Sequence, residues 1–235
     1  MATRIPATII TITATIMADT TALLRLMSWL SPVFPTGGFA YSASLEQAAA
    51  TGAVASEADL EAWIAAMLRA GPLWNDAVLF AAAWRVADDT NALSGLAELG
   101  CAMALAAERR RETVDQGAAF RQAAANWVGE GALPGCDMPL CVAVGAICGR
   151  QDIALEDGLA AFLHAFVTNQ LQAAIRLSLT GQNGAARLLA GLEPLIAETA
   201  SRAAGSALDA LGSNTIMADI AAMRHETLQP RLFLS

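Results

Sequence analysis

The sequence contains no lysine. All its fixed positive charge sits on 14 arginines, against 22 acidic residues, for a formal net charge of -8. Without a lysine the GxxxxGK[ST] phosphate loop cannot be built, so nucleotide hydrolysis by that route is excluded. An acidic chain without a basic tail is also a poor partner for nucleic acid or anionic membrane. Aromatic residues make up only 6%, which gives little sign of a β-sandwich or barrel. There are two histidines, His164 and His225, far apart in sequence, and neither a GxSxG elbow nor an HExxH pair. Long apolar runs are missing too. The charge-free stretches are broken by Pro and Gly or carry His164, Asn169, Gln170 and Gln172, so a soluble, cytoplasmic protein is expected.

Cysteine is scarce. Cys101, Cys136, Cys141 and Cys148 lack the short paired spacings of a disulfide framework. Cys136-x4-Cys141-x6-Cys148 resembles a metal cluster only superficially, because Leu140, Val142, Val144 and Ile147 between them are apolar. Buried free thiols in a reducing compartment are expected, with no resident metal and no cofactor. The competing reading is a small all-α metal- or ligand-binding enzyme that uses His164, His225 and the cysteines.

What is present is helix former. Hydrophobic residues reach 55%, dominated by alanine, and Ala with Leu favours helix. In SEADLEAWIAAMLRAGP, Ser56 is a helix cap with Asp59 three residues on. Leu60, Trp63, Ile64, Met67 and Leu68 form one apolar stripe, and Gly71-Pro72 ends it. The same logic predicts helices over about 72–88, 91–108, 109–128, 139–150, 156–179, 185–211 and 213–224. The fold class is therefore all-α, a single-domain bundle of about eight to ten helices over residues 19–235. Residues 1–18, an Ile/Thr-rich run, are expected to be a loosely ordered extension. The stretch from Gly158 to Ile175 carries no formal charge and is expected near the centre.

Three polar features stand out. His164, Thr168, Gln172 and Arg176 fall in one i, i+4 row, either a satisfied polar edge or the lining of a passage or interface. ERRRETVDQG, residues 108–117, places Arg110 and Arg111 among carboxylates, and Arg111 and Asp115 stand at pairing distance on a helix. That cluster is either a solvated face or a partner surface. The third is SPVFPTGGFAYSASLE, Ser31 to Glu46, which has no charge before its last residue. Pro32 ends the first helix, Pro35 stiffens the connection, and Gly37-Gly38 permits a turn closed to other residues. A helix is expected to start at Phe39, so the segment reads as a rigid, uncharged elbow presenting an aromatic pair.

This elbow resembles the N-terminal signature SPxxPxGxFxYSxxLE of the urease accessory protein F (UreF) family. ERRRETVDQG and FVTNQLQAAIRLSLTGQ resemble later segments of that family in order, and RHETLQPRLFLS resembles its RHExxxxRLFxS ending. The resemblance runs from about Leu23 to Ser235. It implies an all-α, homodimeric, non-enzymatic factor that binds urease accessory protein D (also called H). With that protein it recruits the accessory GTPase G to apo-urease, so that nickel reaches the active site once its bridging lysine is carbamylated. Regulation of the GTPase, by one arginine acting on phosphoryl transfer, and a nickel passage are further implications. Carried onto this sequence, Tyr41 and Glu46 would face a partner at the elbow. His225, Glu226 and Arg231 would order the C-terminal tail against accessory protein D, with Phe233 as its apolar anchor.

Overall fold

Helix boundaries follow the punctuation of the chain. The computed structural model describes residues 19–235, so the expectation for residues 1–18 lies outside the described residues. Asp19 caps α1 (Thr20–Trp29) by accepting from the Thr21 amide at 2.9 Å. At α3 (Glu57–Ala70), Ser56 Oγ accepts from the Asp59 amide at 3.2 Å and donates to its carboxylate at 2.8 Å. The Ala55 amide donates to the same carboxylate at 3.2 Å, completing the expected reciprocal cap. Gly71 closes α3, and Pro72 takes the first position of α4 (Pro72–Arg85), where its missing N–H is harmless. Asp89 caps α5 (Thr90–Met103). Then follow α6 (Ala107–Val128), α7 (Leu140–Arg150), α8 (Leu155–Arg176), α9 (Gln182–Ala204) and α10 (Ile216–His225).

Three boundaries differ from expectation, the first being the helix expected over 91–108, which ends at Met103 and leaves Glu108 to α6. No helix starts at Phe39: Gly38–Ala40 is one 3-10 turn, and α2 begins only at Leu45 (Leu45–Ala50). The reason is local, because Ala43 and Ser44 take φ of 47° and 69°, left-handed values at which a right-handed helix cannot run. The predicted helix from 185 to 211 stops at Ala204. There the Arg85 guanidinium reaches across and accepts nothing but gives two bonds, to the carbonyls of Ala204 at 2.6 Å and Ser206 at 2.9 Å. Those bonds satisfy end carbonyls that another turn of helix would otherwise have bonded.

α7 is the most completely buried helix, and α8 packs beside it in the core. Every residue from Cys141 to Cys148 is buried, and two glycines bring its backbone against α4. A Cβ at Gly145 would lie 2.4 Å from the Phe80 carbonyl oxygen, and one at Gly149 would lie 2.5 Å from that of Trp84. Only a side chain of hydrogen fits there. α8 packs along α9 and contributes Leu159, Phe162, Leu163, Val167 and Leu171 to the same core, but leaves His164 and Gln172 exposed. The thiols divide unexpectedly. Cys141 and Cys148 are buried, whereas Cys101 and Cys136 are half-exposed, and all four are free. Burial pushes the Cys148 thiol up to about 12 and the Cys141 thiol well above its ordinary value, which keeps both unreactive. Among the described residues no helix is long and apolar enough to cross a membrane.

The close approach of α4 and α7 predicts opposite outcomes for two alanine substitutions. Gly145→Ala must push the helices apart and should cost about 1–3 kcal/mol. Gly191→Ala, in α9 with nothing within 4 Å of its added methyl, should stabilise by roughly 0.5–1 kcal/mol. Urea midpoints of the two variants decide it, and equal midpoints would contradict the packing described.

Candidate functional site

The elbow and the tail, at opposite ends of the described chain, form one structure. The Leu234 amide donates to the Ala40 carbonyl at 2.8 Å, and the Ser42 amide donates to the Ser235 carbonyl at 3.0 Å. Four residues beyond Ser42, Glu46 lies in the first turn of α2 with its carboxylate turned to the tail backbone. Its Oε1 accepts from the Leu232 amide at 2.6 Å and its Oε2 from the Phe233 amide at 3.0 Å. From the other side α8 holds the elbow. Gln170 Nε2 donates to the Ser42 carbonyl at 2.9 Å, Asn169 Nδ2 to that of Tyr41 at 3.3 Å, and Arg176 to that of Phe39 at 2.5 Å. The segment pairs part of its own backbone in tight turns, such as Ala40 to Gly37 and Tyr41 to Gly38, and these side chains take up carbonyls that the turns leave over. The Arg176 guanidinium also stacks 4.1 Å from the centre of the Phe233 ring.

Beneath the tail lies a charge cluster. His225, at the end of α10, is fully buried, with Nε2 3.0 Å from Glu46 Oε2 and Nδ1 2.6 Å from Glu108 Oε2. Both ring nitrogens face carboxylate oxygens, so the ring is held from two sides. Glu108 Oε1 accepts from Arg231 at 2.5 Å. Two carboxylates thus share one imidazole and one guanidinium. Glu226 turns outward and its Oε1 accepts from the Ala107 amide at 3.0 Å, capping α6 from another helix.

A second ionic layer lies deeper. Arg109 pairs with Asp76 and with Glu112, and Glu112 Oε2 accepts from the Ser235 hydroxyl at 2.8 Å. Burial pushes the Asp76 and Glu112 carboxyls above the usual range, although Arg109 pulls against it at both. Burial would lower Arg109 itself, but the Asp76 and Glu112 carboxylates outweigh that and hold it raised. Tyr41 is raised by burial, then by the nearby carboxylates of Asp115 and Glu112. This layer separates two cavities. One of about 270 Å³ lies towards α5 and α10, and one of about 550 Å³ lies between the elbow, α6 and α8. Asp76, Arg109, Glu112, Thr113 and Phe166 line both. The polar row His164, Thr168, Gln172 and Arg176 lines the larger.

The structure therefore gathers Tyr41, Glu46, His225, Glu226, Arg231 and Phe233 into one place. It turns four of them inward: Tyr41, Glu46, His225 and Phe233 are buried within this chain, while Glu226 and Arg231 sit at its edge. Arg110 stands apart, in a surface pair with Asp137 at 3.2 Å. Arg111 is exposed on α6 and makes no ion pair with Asp115 among the described residues. His164, His225 and the cysteines are not brought together, and both nitrogens of His225 are already engaged. Among the described residues no group of three His, Cys, Asp or Glu could hold a metal ion. Glu108, Glu112 and Asp76 were not singled out from the sequence. Their only signal was position, with Glu108 and Glu112 at i, i+4 and so on one helical face.

Comparison with known proteins agrees with these motifs. The family model described as UreF matches residues 54–193. Proteins named urease accessory protein UreF align over most of the chain. That of Brucella ovis is 51% identical over 219 residues, covering 92% of this chain and 95% of its own length. Those of Mesorhizobium japonicum and Agrobacterium fabrum are 51% and 52% identical, each covering 91% of this chain and 96% of their own length.

Two outcomes follow from the geometry. Glu46→Gln removes one acceptor and sets an amide against a donor, which should cost about 3 kcal/mol and abolish hydrogen-exchange protection of the Leu232 and Phe233 amides. Retained protection would mean that the tail is held by something else. The raised Asp76 and Glu112 groups bind protons more readily folded than unfolded. Their contribution to stability is full below the ordinary carboxylate range and is lost as pH rises through their folded values. Asp76→Asn should flatten that fall in a pH series of urea midpoints, and an unchanged slope would exclude it.

Proposed function

The chain belongs to the UreF family of urease accessory proteins, and on that premise we propose that it is a non-catalytic scaffold for nickel insertion into urease. It works in the cytoplasm as a homodimer, joins accessory protein D/H to the GTPase accessory protein G, and carries both to apo-urease. The observation that carries this reading is the clasp, because it presents a surface as well as closing a fold. Leu232 and Leu234 alternate with the buried Phe233 and are exposed. Exposed leucines on a tail held in a fixed conformation, beside a charged seam, have the character of a docking surface for another protein. Tyr41, Glu46, His225 and Phe233 act on that partner by holding the tail in shape, and Glu226 and Arg231 border it.

The other assignments rest on separate features. The exposed face of α1, with Leu23, Leu24 and Met27, continues through Val33 to Trp127 and supports pairing with a second copy. Arg110 and Arg111 on the outer side of α6 supply charge for steering the GTPase, whose phosphate loop a lysine-free chain cannot build itself. Nickel enters this reading as cargo. The adjoining cavities, with Asp76 and Glu112 between them, support a route for it through the chain.

Co-expression with tagged accessory protein D tests the docking surface. The intact chain should be retained, and a chain truncated after Arg224 should be lost. Because truncation also strips Glu46 and Glu108 of their partners, the double substitution Leu232→Asp, Leu234→Asp is the cleaner arm. It should cut retention at least tenfold with the thermal midpoint unchanged. Undiminished retention of that variant would move the interface away from the tail, and no retention of the intact chain would refute the scaffold.

A further inference from the structure

The two half-exposed cysteines were not expected to meet. Cys101 lies in the last turn of α5, and Cys136 lies in the loop between α6 and α7. The structure packs these segments directly on each other. Cys101 Sγ is 3.8 Å from the carbonyl oxygen of Asp137, the residue that follows Cys136. One position earlier, a Cβ at Gly100 would come within 3.0 Å of the Pro139 ring, so α5 lies hard against residues 137–139. Arg110 pairs with the same loop from α6 through Asp137 at 3.2 Å. Cys136, the residue before Asp137, lies near enough to Cys101 for its charge to act on that thiol.

From this juxtaposition we propose that Cys101 and Cys136 form a dithiol that a small-molecule disulfide, such as glutathione disulfide, oxidises to an intrachain disulfide. One thiolate attacks the reagent and releases one glutathione thiol, leaving a mixed disulfide on the chain. The second cysteine then attacks that mixed disulfide and releases the second glutathione. Two S–H bonds are lost and one S–S bond is formed, and the two electrons and two protons reduce the reagent to two thiols. The bond would fasten the end of α5 to the loop that follows α6. α6 would then be enclosed in a covalent ring, and with it Glu108, Arg109 and Glu112. Burial raises the Cys101 thiol, with Arg110 pulling the other way, so the closure should be slow at neutral pH and faster in mild alkali. Cys141 and Cys148, deep in α7, take no part.

The test uses the full-length chain, incubated with glutathione disulfide and mapped by mass spectrometry of non-reduced peptides. A cross-link joining the peptides that carry Cys101 and Cys136 is expected, with the denatured thiol count falling from four by two. The thermal midpoint should rise by several degrees and return on reduction. Cys136→Ser should abolish the cross-link and leave one glutathione adduct, on Cys101. Separate glutathione adducts on both cysteines, cross-links only between copies, or a full complement of free thiols after incubation would each overturn the proposal.

Discussion

One carboxylate holds the two ends of the described chain together. Glu46, itself buried, accepts from the Leu232 and Phe233 amides and meets His225, three partners on two oxygens. Had any of these donors been left unpaired there, it would cost about 1–3 kcal/mol. The arrangement is strict in both directions. α2 can start only where the strained pair Ala43-Ser44 sets Glu46 towards the tail, and the tail can lie down only where Glu46 receives its amides. His225 then ties α10 to both, and Glu108 extends the tie to α6. Four elements that pack weakly on one another are joined through charge rather than through apolar area.

This explains what was legible in the residues and what was not. Helices were legible because their caps and stops are local. Ser56 with Asp59 and Gly71 with Pro72 each act within a few positions. The elbow was legible as a rigid corner for the same reason, from Pro32, Pro35 and the glycine pair. Its course beyond Gly38 was not, since Ala43 and Ser44 carry no sign of left-handed backbone. They adopt it because Gln170, Glu46 and Ser235 engage the surrounding groups. The site was half legible. The first and last motifs were picked out separately, each with a partner outside the chain in view. Their meeting depends on contacts nearly two hundred positions apart, and no periodicity encodes that. Glu108 shows the limit most plainly. In ERRRETVDQG it looks like one more charge on a solvated face, yet it is buried against His225 and Arg231.

The same accounting applies to α7 and α8. A charge-free stretch such as residues 158–175 of α8 suggests a centre, but the row from His164 to Arg176 faces a cavity of about 550 Å³. The most buried helix, with its run CVAVGAIC, is short and contains a glycine, features that read as weak helix and turn out to permit close backbone approach to α4. Small residues here serve proximity, not flexibility.

The clasp also sets an order of events during synthesis. Glu46 and the amides it serves are separated by 186 and 187 positions. At ribosomal speeds of about 5–20 residues per second, roughly ten to forty seconds pass between the two. Throughout that interval the elbow has left the ribosome with its acceptor unclaimed, while most of the helices around it are already made. The nascent protein is therefore a nearly finished bundle with one open seam, and that seam is where a holding chaperone would find it.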